Sequence, residues 1–139
     1  MATYILCHGA WGGGWGYRRV ADIVRAAGHQ VFTPTYTGVG ERLHLATPDV
    51  NLDTHIEDIR AVIRYERLED FILVGHSYGG MVITGIADRA PDRIGHRVYL
   101  DAAYPVDGES LHQHAFESID ATRQTMYVEN GVELVMRPD

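Results

Sequence analysis

The pentapeptide Gly75-His76-Ser77-Tyr78-Gly79 stands between a short apolar run, Phe71 to Val74, and a stretch of helical spacing from about Gly79 to Arg89 that Pro91 stops. It matches G-x-S-x-G, the pattern of a serine placed on a sharp strand-to-helix turn at the top of a sheet. At such an elbow the serine backbone is strained and its hydroxyl projects clear of the sheet, where a substrate can reach it. Gly75 and Gly79 fit this geometry because strand and helix pass too close there for side chains. The helix that follows aims its N-terminal amides at the place where negative charge develops during acyl transfer. Glycine-rich strand-to-helix turns also occur where nothing reacts. Here strand, elbow, Gly80 and helix fall in register, which favours Ser77 as a nucleophile over a purely structural bend.

The rest of the chain supplies a sheet for that elbow. Tyr4 to Cys7 is a short apolar run closed by Gly9, which reads as a strand buried on both faces. Beyond Gly12-Gly13-Gly14, apolar residues recur at Val20, Ile23, Val24 and Ala27 with helical spacing, and Gly28 supplies a left-handed stop. Gln30 to Thr33 is a second β-favouring run, ended by Pro34. The span from Pro34 to Asn51 has no clear period, and a loop of that length is expected to border the site. Asn51 or Asp53 caps a further helix with Leu52, Ile56, Ile59 and Ile63 on one stripe and Glu57, Asp58, Arg60 and Arg64 toward water. Arg97 to Leu100 gives the fourth strand. Strands separated by helical crossovers make a parallel sheet, so the predicted fold class is α/β, with strand order 2-1-3-4 and helices on the flanks. Past Asp101 the pattern changes: Leu111 to Thr125 reads as helical, and Asn130-Gly131 stands between two β-favouring pieces as a hairpin turn.

Composition narrows the partner. Of the 139 residues, nineteen are acidic and twelve basic, for a net charge of −7, which disfavours nucleic acid or an anionic membrane and favours a neutral small molecule. The first residues enter an apolar segment with no basic leader or long hydrophobic stretch, so a soluble cytoplasmic protein is the expectation. Cys7 lies in an apolar run, where a buried, inert thiol is expected.

The second chemical signal is His8-Gly9-Ala10-Trp11 at the end of the first strand. Alone it is a tight turn. If the first and third strands are neighbours, the Ala10 and Tyr78 amides can both face the carbonyl oxygen of a substrate at Ser77, and two such donors make an oxyanion hole. Tyr78 and Trp11 could shape an acyl pocket or simply pack.

Taken together, Ile5-Leu6-Cys7-His8-Gly9-Ala10-Trp11, Gly28-His29-Gln30-Val31, Gly75-His76-Ser77-Tyr78-Gly79-Gly80-Met81 and Tyr99-Leu100-Asp101-Ala102-Ala103 resemble the α/β-hydrolase superfamily. The resemblance covers roughly residues 3 to 112 and is nearest the branch of plant methyl-ester esterases and hydroxynitrile lyases with their bacterial relatives. It implies a serine esterase of small carboxylic esters with Ser77 as nucleophile, Ala10 and Tyr78 as oxyanion donors, and no metal or organic cofactor. It also implies a core over 1–104 and the start of a small cap over 105–139. Lyase chemistry on cyanohydrins uses a nearby lysine in that branch, and this sequence contains none.

A serine nucleophile needs a base, and the base an orienting acid. In this family both follow the serine, in the order Ser, Asp, His, so the histidine is expected beyond residue 139. Without it, a catalytically silent binding module is the competing reading. Of the histidines present, His8 and His76 read as structural, and His29, His44, His55 and His96 as solvated. His112 and His114 are the one pair in a segment free to move, but no third or fourth ligand accompanies them for zinc. Asp101 ends the strand beside the nucleophile strand, where some hydrolases keep their acid; a carboxylate capping the turn near Ala103 is the plainer reading. Because Arg97 to Leu100 would be an unpaired edge, self-association through it is expected.

Overall fold

The computed structural model describes residues 1–113, 126–129 and 131–135. Four strands form one parallel sheet: β1 (Thr3–Cys7), β2 (Gln30–Phe32), β3 (Phe71–Ser77) and β4 (Ile94–Ala102), in the order β2-β1-β3-β4. Each crossover carries a helix: α1 (Arg18–Ala26) after β1, α2 (Leu52–Tyr65) after β2 and α3 (Gly79–Arg89) after β3. The order and the parallel pairing agree with the sequence pattern, and β3 and β4 run two to three residues beyond the apolar runs that announced them.

The two faces of the sheet are packed unequally. On one face Ile5, Cys7, Phe71 and Leu73 meet Ile56, Ile59 and Ile63 of α2 and Val82, Ile83 and Ile86 of α3, each at most 3% exposed. This is the main core, and it anchors the nucleophile strand from below. The Asn51 side chain accepts from the Thr54 amide while Thr54 accepts from Asn51, so a reciprocal cap fixes where α2 begins. On the other face a smaller cluster sets Ala21 of α1, with Tyr17 and Val24 beside it, over Leu6 and Val31, flanked by Tyr4 and Val74. Of the expected α1 stripe only Val24 reaches this cluster. Val20 is 47% and Ile23 71% exposed, because the helix rests on its small Ala21 side. On β4, Tyr99 packs toward the main core, while alternation sends Val98 and Leu100 to the opposite face, where they are exposed.

After β4, strands β5 (Met126–Glu129) and β6 (Val132–Val135) pair antiparallel as the expected hairpin, with Gly131 at φ +76° in the turn. Most of the helix expected over 111–125, and His114, lie outside the described residues.

Candidate active site

The end of β3 is where the sheet stops being repetitive. Ser77 is its last residue, at φ +51°, a region that costs a side-chain-bearing residue energy and is held only when the surroundings over-determine it. The register shifts between His76 and Ser77, so that Ser77 pairs with Ala102 and its carbonyl accepts from the Ala103 amide at 3.0 Å. One residue later Tyr78 opens α3 with no side chain capping the helix, and its own carbonyl accepts the Met81 amide at 2.9 Å.

Glycines make the bend passable. A methyl on Gly75 would stand 2.6 Å from the Gly79 carbonyl oxygen; one on Gly79 would strike the Cys7 carbonyl, and one on Gly80 the Ala103 carbonyl. The third close approach, by Gly80, locks α3 against the segment after β4.

The His8-Gly9-Ala10 turn lies against this elbow. β1 and β3 are neighbours with Cys7 opposite Gly75, so Ala10 and Tyr78 each lie three residues beyond a paired position. A methyl on Gly9 would stand 3.0 Å from Ser77 Cβ, so the turn passes close against the base of the serine side chain. Trp11 follows at φ +56°, 41% exposed. The neighbouring-strand condition for two main-chain donors is thus met by the fold.

Beneath the elbow lies a polar layer that the sequence did not announce. His55, expected in solvent, is 8% exposed. Its Nε2 is 2.9 Å from the Thr37 carbonyl and must donate there, which makes Nδ1 the acceptor of the Tyr78 hydroxyl at 2.7 Å. Asp58, also expected in water, accepts from the Thr37 amide and hydroxyl at 2.6 and 2.8 Å and faces Arg42. His8 follows the same logic with the opposite tautomer: Nδ1 donates to the Gly9 carbonyl at 2.8 Å and Nε2 accepts the Tyr36 amide. The Tyr36 ring lies between the two imidazoles, 4.0 Å from His8 and 5.0 Å from His55, and its hydroxyl donates to the His8 carbonyl. Burial pushes the pKa of both histidines below the ordinary 6.5, so the two imidazoles are uncharged near pH 7. No buried side-chain nitrogen or oxygen among the described residues lacks a partner.

Tyr78 therefore directs its hydroxyl into this layer. The one local hint is that His55 and Asp58 are three residues apart and border the Ile56–Ile59 stripe of α2, a position that serves a solvated helix edge equally well.

The remaining candidates are scattered. Asp101 sits on β4 at φ +43°, exposed, and no described residue bonds its carboxylate, so the expected turn cap is not made. His76, His44, His96 and His112 are exposed. Cys7 is fully buried, and burial pushes its thiol up to about 12, so it is no nucleophile. Among the described residues no three His, Cys, Asp or Glu side chains are grouped to hold a metal ion, and no helix is long and apolar enough to cross a membrane. A groove of about 480 Å³ between the C-terminal ends of α2 and α3, lined by Arg60, Arg64 and Arg93 among others, contains none of the elbow residues.

Comparison with known proteins agrees with this geometry. The model of the alpha/beta hydrolase family matches residues 4–134. A carbendazim hydrolyzing esterase from Nocardioides is 59% identical over 111 residues, covering 80% of this chain and 46% of the esterase. Salicylic acid-binding protein 2 from Nicotiana tabacum is 33% identical over 124 residues, covering 81% of this chain and 43% of that protein. Among solved structures, an extracellular alpha/beta-hydrolase from a Paenibacillus species, described as sharing structural and functional homology with the tobacco protein, superposes with a TM-score of 0.75 at 35% identity. That match covers 81% of this chain and 46% of the other. The chain spans about half the length of the curated relatives it matches.

Proposed function

The chain belongs to the alpha/beta hydrolase family, and from that premise we propose that it carries the nucleophile half of an esterase site, with Ser77 attacking small carboxylic esters. The observation that carries the reading is Ser77 itself: a left-handed residue at the β3–α3 elbow, with Gly9 of the first-strand turn close against its Cβ. The Ser77 hydroxyl oxygen bonds to the ester carbonyl carbon as its proton passes to a base, and the carbonyl oxygen, now negative, accepts from the Ala10 and Tyr78 amides. Collapse of this intermediate breaks the bond to the alcohol, which leaves with the proton, and water then releases the acid from the acyl-serine. Among the described residues no histidine bonds the Ser77 hydroxyl, so the base is assigned to sequence outside them, and the orienting acid with it. The esterase names of the relatives support this class of reaction and do not identify the ester.

The test is to treat the protein, at its full encoded length, with a fluorophosphonate and read the intact mass. One adduct, absent from Ser77→Ala, is expected. No adduct, or an adduct that persists in Ser77→Ala, would overturn the assignment.

A further inference from the structure

Two buried histidines lie under the elbow, and neither touches the serine. They nevertheless connect the two backbone segments whose amides are assigned to the oxyanion. Tyr36 bonds the His8 turn at both ends of its own residue, amide to His8 Nε2 and hydroxyl to the His8 carbonyl. The next residue, Thr37, gives its carbonyl to His55, whose other ring nitrogen receives the Tyr78 hydroxyl. Thr37 is in turn fixed to α2 by Asp58. So the segment Tyr36–Thr37 holds the Ala10 side of the site through His8 and the Tyr78 side through His55, and α2 holds that segment.

We propose that His55 is a positioning residue: as the Nε2–H tautomer it fixes the Tyr78 side chain to the Thr37 carbonyl and thereby sets where the Tyr78 amide points. The inference rests on the oxyanion assignment made above. It follows from chemistry that only an imidazole supplies here, a donor and an acceptor on opposite edges of one rigid ring, between a carbonyl that can only accept and a hydroxyl that is left to donate. Among the described residues His55 is the one hydrogen-bond partner of the Tyr78 hydroxyl, while the ring itself packs against the edge of the main core. Its ring stands edge-on to both Tyr36 and His55, at 5.9 and 5.7 Å, so the hydroxyl bond fixes its tilt. An oxyanion donor acts only when aimed at the transition-state oxygen, and a displacement of about 1 Å is enough to cost about a hundredfold in rate.

The test uses the full-length protein with p-nitrophenyl acetate and three variants: Tyr78→Phe, which deletes only the hydroxyl, His55→Leu, and the double variant. The expectation is a fall in kcat of about tenfold or more in each single variant, with KM within about twofold, because the contact acts on transition-state stabilisation. The double variant should be no slower than the worse single, since both remove one link. Independently of activity, nitrogen-15 spectra of the ring should show His55 protonated at Nε2, with Nδ1 gaining proton affinity in Tyr78→Phe. Folded Tyr78→Phe protein with unchanged kcat, additive losses in the double variant, or an Nδ1–H tautomer at His55 would each overturn the proposal. Absence of Ser77-dependent turnover in the unsubstituted protein would instead strike the esterase reading, and the ring spectra would still decide the tautomer on which the positioning role depends.

Discussion

Substituting Gly75 by alanine tests the elbow where its geometry is most demanding. The added methyl would stand 2.6 Å from the Gly79 carbonyl oxygen, 2.7 Å from the carbonyl carbon and 3.0 Å from the Gly80 amide, all backbone atoms of the first turn of α3. Ordinary contact begins at 3.4 Å. No flexible side chain can yield, so helix and strand must part by roughly 0.8 Å, an overpacking that costs about 1–3 kcal/mol. Against this stands a gain of about 0.4–1 kcal/mol, because alanine has fewer unfolded conformations to lose than glycine. The strain exceeds the gain, and a net loss of about 1–2 kcal/mol is expected. Gly16 provides the opposite case: nothing lies within 4 Å of its added methyl, so Gly16→Ala should be neutral or slightly stabilising. Urea unfolding followed by far-UV circular dichroism and by the fluorescence of Trp11 and Trp15 would measure both. A Gly75→Ala variant as stable as the unsubstituted protein would refute the claim that strand and helix meet there at backbone contact.

Other consequences follow from the polar layer, the edge strand and the acid. His8 and His55 are held below their ordinary pKa by burial, so the unfolded chain binds more protons than the native one as pH drops below about 6.5, and stability should fall there. Groups facing them are Glu41, Asp58 and Arg42, and the slope of the urea midpoint against pH between about 5 and 7 should flatten in His55→Gln; an unchanged slope would count against a buried neutral His55. Asp101→Asn, tolerated at φ +43°, is expected to leave ester turnover by the full-length protein within about threefold. A loss of about 10³-fold or more would make Asp101 the acid of the triad. Cys7 should resist a thiol reagent until the protein is unfolded; rapid native labelling would contradict its burial. Residues 1–139 alone are proposed to self-associate through the β4 edge and the exposed Val98 and Leu100, and sedimentation showing a stable monomer at tens of micromolar would end that proposal.

The sheet and its helices were legible in the sequence because each rests on a periodic signal. The runs Tyr4–Cys7 and Phe71–Val74 and the Ile56–Ile59–Ile63 stripe report burial directly, and crossover lengths forced parallel pairing. The elbow was legible because G-x-S-x-G depends on position between strand and helix, both of which the pattern supplies. The polar layer was not. Whether His55 and Asp58 face water depends on where the Thr35–Thr37 segment returns over α2, a tertiary fact with no local period. Tyr78 shows the same limit: the motif puts it at the elbow, but the direction of its side chain depends on a histidine 23 residues earlier. For α1 the error ran the other way. Its periodicity was real, yet packing on Ala21 left Val20 and Ile23 in solvent.

A crystal structure of the full-length protein after reaction with a fluorophosphonate would examine the reacting geometry itself. The account predicts phosphorus bonded to Ser77 Oγ and a phosphonyl oxygen within about 2.7–3.1 Å of the Ala10 and Tyr78 amide nitrogens. A phosphonyl oxygen turned away from those two amides, or phosphorus on another side chain, would contradict it.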